Sequence, residues 1–262
     1  LQKGLAKALN SLSWQQAIIT LVPVDPQKTV FRIDIRSIGW TQQLWSDILT
    51  DYPYPSFEKS TTSQKTLASI VKVAGALPLI RGDWFTENAL NPALYYKILG
   101  LPDNVNDLET LLNVDVKADL AASNVIRAGF KKSNVSVNNR VIERHVTSSG
   151  AYWRSYDFVT SDNKQDIFQF PLGPSALTGQ SPDVSFEPSG GEILFNLPNG
   201  FQAYYLINAA GARLDAAFLT IVHDPLRKDL TVTNAISCFT CHANGINLQN
   251  DDIRAYSSNY SS

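Results

Sequence analysis

Six short runs between residues 124 and 208 constrain this chain more than any other feature. They are "NVIRAGF", "RVIERHVT", "AYWRSYDFV", "DIFQFPL", "GEILFNLP" and "FQAYYLIN", all rich in aromatic and β-branched residues. Turn residues separate them, as in "SSG", "TSDNK", "GPSALTGQSPD" and "PNG". Such runs read as strands of an antiparallel sheet, and the last three look like a meander. "LPNGF" at 197–201 is the strongest hairpin turn among them.

The residues before 124 have a different texture. "KGLAKALNSL" at 3–12 carries apolar residues at helical spacing. "VFRIDIRSI" at 30–38 alternates, with Phe31, Ile33 and Ile35 on one side and Arg32, Asp34 and Arg36 on the other, which predicts a half-buried strand. After it, Thr41 caps a helix that buries Leu44, Trp45, Ile48 and Leu49 and stops at Pro53 and Pro55. "EKSTTSQKT" reads as an exposed loop or the start of the next helix. "NPALYYKILGLP" at 91–102 has Pro92 near the first helical position and Gly100 at the C-cap. "NDLETLLNV" at 106–114 is a further short helix, capped by Asn106 or Asp107. The expected fold class is α+β: an N-terminal mixed helix and strand part over 1–123, then an antiparallel β-sheet part over 124–262. No Gly/Ser linker divides them, so a shared core is compatible with the pattern.

Hydrophobic residues make up 44 % and charged residues 18 %, the composition of a globular chain. The net charge of −2 gives no general attraction to nucleic acid, and no apolar run reaches the roughly 20 residues of a membrane helix. The chain starts at Leu1 and contains no Met. That is expected of a processed or trimmed chain. "AYSSNYSS" at 255–262 carries no stop signal, and the native chain is expected to run past Ser262.

Both cysteines and one of three histidines lie in "ISCFTCHANG", as Cys238-x-x-Cys241-His242. This is the attachment pattern of c-type haem: two thioether sulfurs at the right separation, and a His placed under the iron as proximal ligand. Three competitors stand beside it. A redox dithiol wants this spacing at the start of a helix in a βαβ setting. Zinc wants about four ligands. A disulfide over a two-residue gap closes a tiny loop and contributes little.

With haem c attached, the other face of the iron becomes the question. Met, a frequent second ligand that raises the potential, is absent. His145 is the first candidate, inside a cluster with Arg140, Arg144, Tyr152, Trp153, Arg154 and Tyr156. There Arg side chains suit haem carboxylates and aromatic rings suit the macrocycle. A strand His is more often a hydrogen-bonded structural residue than a ligand. His223, in "IVHDPLRKD", is the lesser candidate. An open site is the third possibility. "RGDWF" at 81–85 more plausibly anchors Trp84 and Phe85 in the core than serves adhesion.

The stretches "SNVSVNNRVIERHVTSSGAYWRSYDF", "GGEILFNLPNGFQAYYLINAAGARL" and "NAISCFTCHANGI", with "FRIDIRSIGW" and "RGDWF" upstream, resemble a largely uncharacterised group of bacterial secreted proteins with one c-type haem. The resemblance covers most of the chain. It implies one covalent haem on Cys238 and Cys241, with His242 proximal. The order of elements is also similar to that of the β-sheet cytochromes of the c′-beta kind, an analogy that implies an open or apolar distal side. Covalent haem implies the bacterial periplasm, the cell envelope or secretion. The expected function is electron transfer with an unidentified redox partner protein. The alternatives are a haem enzyme or binder of gases or peroxide, and an envelope structural or assembly protein with an accessory haem. A redox carrier is expected ahead of a catalyst.

Overall fold

A computed structural model describes residues 2–51, 62, 65–66, 69, 72–73, 80–158, 166–174, 177, 179, 181 and 183–260. Helix α1 (Gln2–Asn10) buries Ala8 and Leu9. A two-strand ribbon, β1 (Val22–Pro23) with β2 (Phe31–Arg32), follows. The strand expected over 30–38 ends after Arg32. Asp34 accepts the Arg36 N–H, and residues Ile35–Ile38 form a 3₁₀ turn closed by left-handed Gly39. Local capping by an Asp side chain overrides the alternation there.

Helix α2 (Gln42–Asp51) is capped by Thr41, whose hydroxyl accepts the Leu44 N–H, and it buries Ile48. The expected stops at Pro53 and Pro55 lie outside the described residues, as does most of "EKSTTSQKT". Helices α3 (Gly82–Ala89), α4 (Pro92–Leu99), α5 (Val105–Leu112) and α6 (Val116–Ala121) follow from residue 82 on. Phe85 in α3 is buried, and Trp84 packs against the core. Pro92 opens α4 and Gly100 closes it in the left-handed region. In α5 the cap is Asn104 rather than Asn106 or Asp107; its side chain accepts the Asp107 N–H.

Six strands then form one antiparallel meander in chain order. They are β3 (Ile126–Phe130), β4 (Arg140–Thr147), β5 (Gly150–Phe158), β6 (Pro188–Asn196), β7 (Gln202–Asn208) and β8 (Arg213–Leu214). The chain is α+β, and five of the six runs are strands. "DIFQFPL" is instead a turn: Asp166 accepts from the Phe168, Gln169 and Phe170 N–H groups. Two short helices end the chain, α7 (Ile236–Cys241) and α8 (Asp252–Tyr260). The unstopped tail expected at "AYSSNYSS" is thus helical through Tyr260. Asp251 and Asp252 accept N–H groups of Gly129 and Lys131, and this ties α8 to the edge strand β3. A Cβ on Gly129 would meet Ile253 of α8 at 2.3 Å, so glycine leaves room for that seat.

Strand alternation sends side chains to two faces, and directly paired residues share one. Tyr152, Ile193, Phe195, Tyr205 and Ile207 point to the helices and join Leu9, Ile38, Leu94 and Leu108 in the largest core. That core spans the 123/124 boundary. The opposite face carries Ala128, Phe130, Ile142, Trp153, Leu194 and Leu206, and it meets the C-terminal segment.

Candidate functional site

The C-terminal segment and the outer sheet face enclose a cavity of about 350 Å³. Its size lies in the usual range for small-molecule sites. Cys238, Cys241 and His242 all line it, opposite Ile142, Trp153 and Leu194. The loop 246–249 forms another wall, and Gln249 is tied to the Lys132 carbonyl at 3.0 Å.

The motif is held from several sides. Ala235 precedes α7 with φ +62°, and Ser237 Oγ accepts the Thr233 N–H. Lys7, from the far end of the chain, donates to the carbonyls of His242 (2.7 Å) and Phe239 (3.3 Å). A cation there satisfies orphan carbonyls at the C-terminus of α7. The helix ends at Cys241 with His242 as its C-cap, and Gly245 follows at φ +101°. The returning Gly245 carbonyl lies 3.0 Å from His242 Nδ1. A carbonyl only accepts, so Nδ1 carries a proton, and in the neutral ring the lone pair is on Nε2. The His242 ring also packs against Tyr204 at 5.8 Å between centroids.

These surroundings bear on the competing chemistries. Both cysteines are free thiols. Burial pushes the Cys238 thiol well up, with Glu192 adding to it, and burial likewise raises Cys241. A redox dithiol needs the reverse, a thiol lowered toward the thiolate. Among the described residues, no three His, Cys, Asp or Glu side chains group as metal ligands, so zinc finds no ligand set.

The other sequence candidates divide between the faces. Arg140 and Trp153 line the cavity. Arg144 sits beside them, its guanidinium 5.5 Å over the Trp153 ring. Tyr152 faces the helices, fully buried, and donates to Glu109. His145 pairs across the ladder with Tyr152 and shares its face. It is fully buried, with Nδ1 2.8 Å from Asp119 and Nε2 3.5 Å from Glu143. The sheet therefore separates His145 from the cavity, which corrects its candidacy as a second ligand there. His223 is exposed; its backbone N–H donates to Val135, a cavity residue, at 2.7 Å, but its own ring does not line the space.

Sequence reading missed Glu192, Ser155 and Tyr204. The first two share the cavity face with Arg140 and Ile142, so strand parity would have found them once the hairpin registers were known. Lys7 had no local signal at all.

His145 belongs instead to a buried charge network with Asp119, Glu143, Arg127 and Tyr156. Burial works to lower its pKa, but its hydrogen bonds to Glu143 and Asp119 outweigh that and raise it. A raised folded-state value contributes stability that is complete below the unfolded value, about 6.5, and is lost as pH rises through the folded one. The gap in unfolding free energy between the wild type and His145→Gln is therefore expected to be widest near about pH 6 and to narrow toward about pH 9. Denaturant melts across that range check it; a gap that widens with pH would contradict the network.

No family model, curated protein or solved structure matches the chain.

Proposed function

We propose that the chain is a c-type haem protein of the bacterial periplasm, envelope or exterior. Haem is bound covalently to Cys238 and Cys241, and His242 Nε2 is the proximal ligand. One observation carries the reading: the two free thiols and an imidazole fixed as the Nδ1–H tautomer open onto one apolar cavity. Fixing that tautomer by a backbone acceptor is how proteins orient a His toward a metal. Two thiols and one nitrogen that do not converge on a point suit a cofactor with separate attachment points better than a lone ion. Haem c bound there supplies an iron that changes charge by one electron or takes a small ligand.

The residues of this chain then have distinct tasks. His242 is held in orientation by Gly245 and Tyr204. Trp153, Ile142 and Leu194 exclude water from one wall. Electron transfer is the reading that the motif favours by itself. The surroundings support the alternative more: within this sequence His145 lies across the sheet, the His223 ring is outside the cavity, and there is no Met. We therefore rank small-ligand binding or haem enzymology at an open distal side first, with electron transfer second.

The test is a haem stain on a denaturing gel, followed by visible spectra of the oxidised and reduced protein with and without carbon monoxide. The expected result is a stained band with a high-spin spectrum that shifts readily. A six-coordinate low-spin spectrum unmoved by carbon monoxide returns the protein to the carrier reading. An unstained band sinks the haem reading.

A further inference from the structure

We infer that Arg140 is a hydrogen-bond donor held ready for a small, uncharged ligand with an accepting oxygen atom, bound in the cavity of the motif; the inference rests on the haem reading above. Arg140 lines that cavity and is only 5 % exposed. Its guanidinium is fixed on two sides. Nε donates to Asp157 at 2.5 Å and Nη1 to Glu192 at 3.2 Å. The third nitrogen, Nη2, is buried and has no hydrogen-bond partner among the described residues. Buried donors are costly to leave unmade, and a charged one most of all. A donor kept so, rigidly clamped beside a preformed space, is the arrangement by which proteins meet a polar atom that arrives later.

The surroundings narrow what that atom belongs to. Two carboxylates already oppose the one guanidinium charge, so a free anion would meet little net attraction. An oxygen atom on a neutral ligand needs only the donor. The haem's own carboxylates are the competing source of such oxygen. They lie on the macrocycle edge away from the thioether bonds. Arg140 and its partner Glu192 line the same cavity as Cys238 and Cys241, and the carbon monoxide experiment below separates the two sources.

The C–O stretching frequency of carbon monoxide on the reduced, haem-loaded protein reads this directly. A positive donor near the oxygen draws electron density into the C–O antibonding orbitals and lowers the frequency; a carboxylate nearby raises it. In R140K a single ammonium remains with Asp157 and Glu192 and the third nitrogen is lost, so the frequency should rise. E192Q removes the opposing carboxylate but leaves the guanidinium on Asp157, so it should fall. Haem content is measured first in each protein. Equal frequencies in the wild type, R140K and E192Q overturn the inference and leave the haem reading standing. An unmoved frequency in R140K with a lowered midpoint potential or weaker haem retention assigns the guanidinium to a haem carboxylate, and also overturns it. A wild-type chain with no covalent haem fails both readings at the first step.

Discussion

Gly191→Ala is expected to be the most destabilising single methyl group that can be added to the sheet, costing about 3 kcal/mol or more. A Cβ at this position would lie 2.1 Å from the Ser155 carbonyl oxygen, a backbone atom in the neighbouring strand β5. No side-chain rotation relieves such a contact, so one strand must move. Gly191 sits inside β6, paired with Ile207 on one side, and next to the register shift at Asp157/Phe158 on the other. Its φ is not positive, so space, not conformational freedom, demands glycine there. The displacement would also reach the cavity, because the Ser155 hydroxyl accepts the Glu192 N–H at 2.8 Å. For a chain of this size the expected fall in Tm is roughly 6–12 °C. Gly200→Ala is the control: it has φ +82° but nothing within 4 Å of a new Cβ, so it incurs only left-handed strain of about 1–2 kcal/mol. Thermal melts of the two variants check the order. A Gly191→Ala protein as stable as Gly200→Ala would mean that β5 and β6 are not seated as described.

The strands were legible because each has one face toward the helices and one toward the cavity, which writes period two into the sequence. The same rule failed wherever a short Asp side chain offered the backbone a local partner. Asp34 turned "FRIDI" into a 3₁₀ corner, and Asp166 turned "DIFQF" into a tight turn. Alternation alone cannot weigh a cap against a ladder. The site divides in a similar way. Cys238-x-x-Cys241-His242 is contiguous, so its spacing could be read directly. The basic and aromatic cluster of β4 and β5 looked like one pocket because its members are near in sequence. On a strand, neighbours go to opposite sides. Arg140, Arg144 and Trp153 have the parity of the cavity, whereas His145, Tyr152 and Arg154 are paired into the helix face. Applied strictly, parity would have separated His145 from Arg140 without any coordinates. The contacts of Lys7 and of loop 246–249 depend on tertiary closure, and no local pattern carries them.

Removing both sulfurs by Cys238→Ser/Cys241→Ser is expected to abolish haem on a denaturing gel entirely, while each single variant keeps a stained band. The argument is one of separate bonds. Each thiol opens onto the cavity by itself, and the two do not group with His242 as ligands of one ion, so each would hold its own edge of the cofactor. One remaining thioether survives denaturation; coordination by a nitrogen does not. His242→Ala makes the complementary cut. It leaves both sulfurs and removes the imidazole held by Gly245 and Tyr204, so the stain should persist while the visible spectrum changes and loses its dependence on that ligand. Serine is close to cysteine in size, and the fold should survive, because the helix α7 is fixed by Lys7, Ser237 and Asn234 rather than by sulfur. Folding can be followed by near-ultraviolet circular dichroism in the same samples. A double serine variant that retained a stained band would rule out thioether attachment. So would a wild-type chain whose two thiols both react with iodoacetamide.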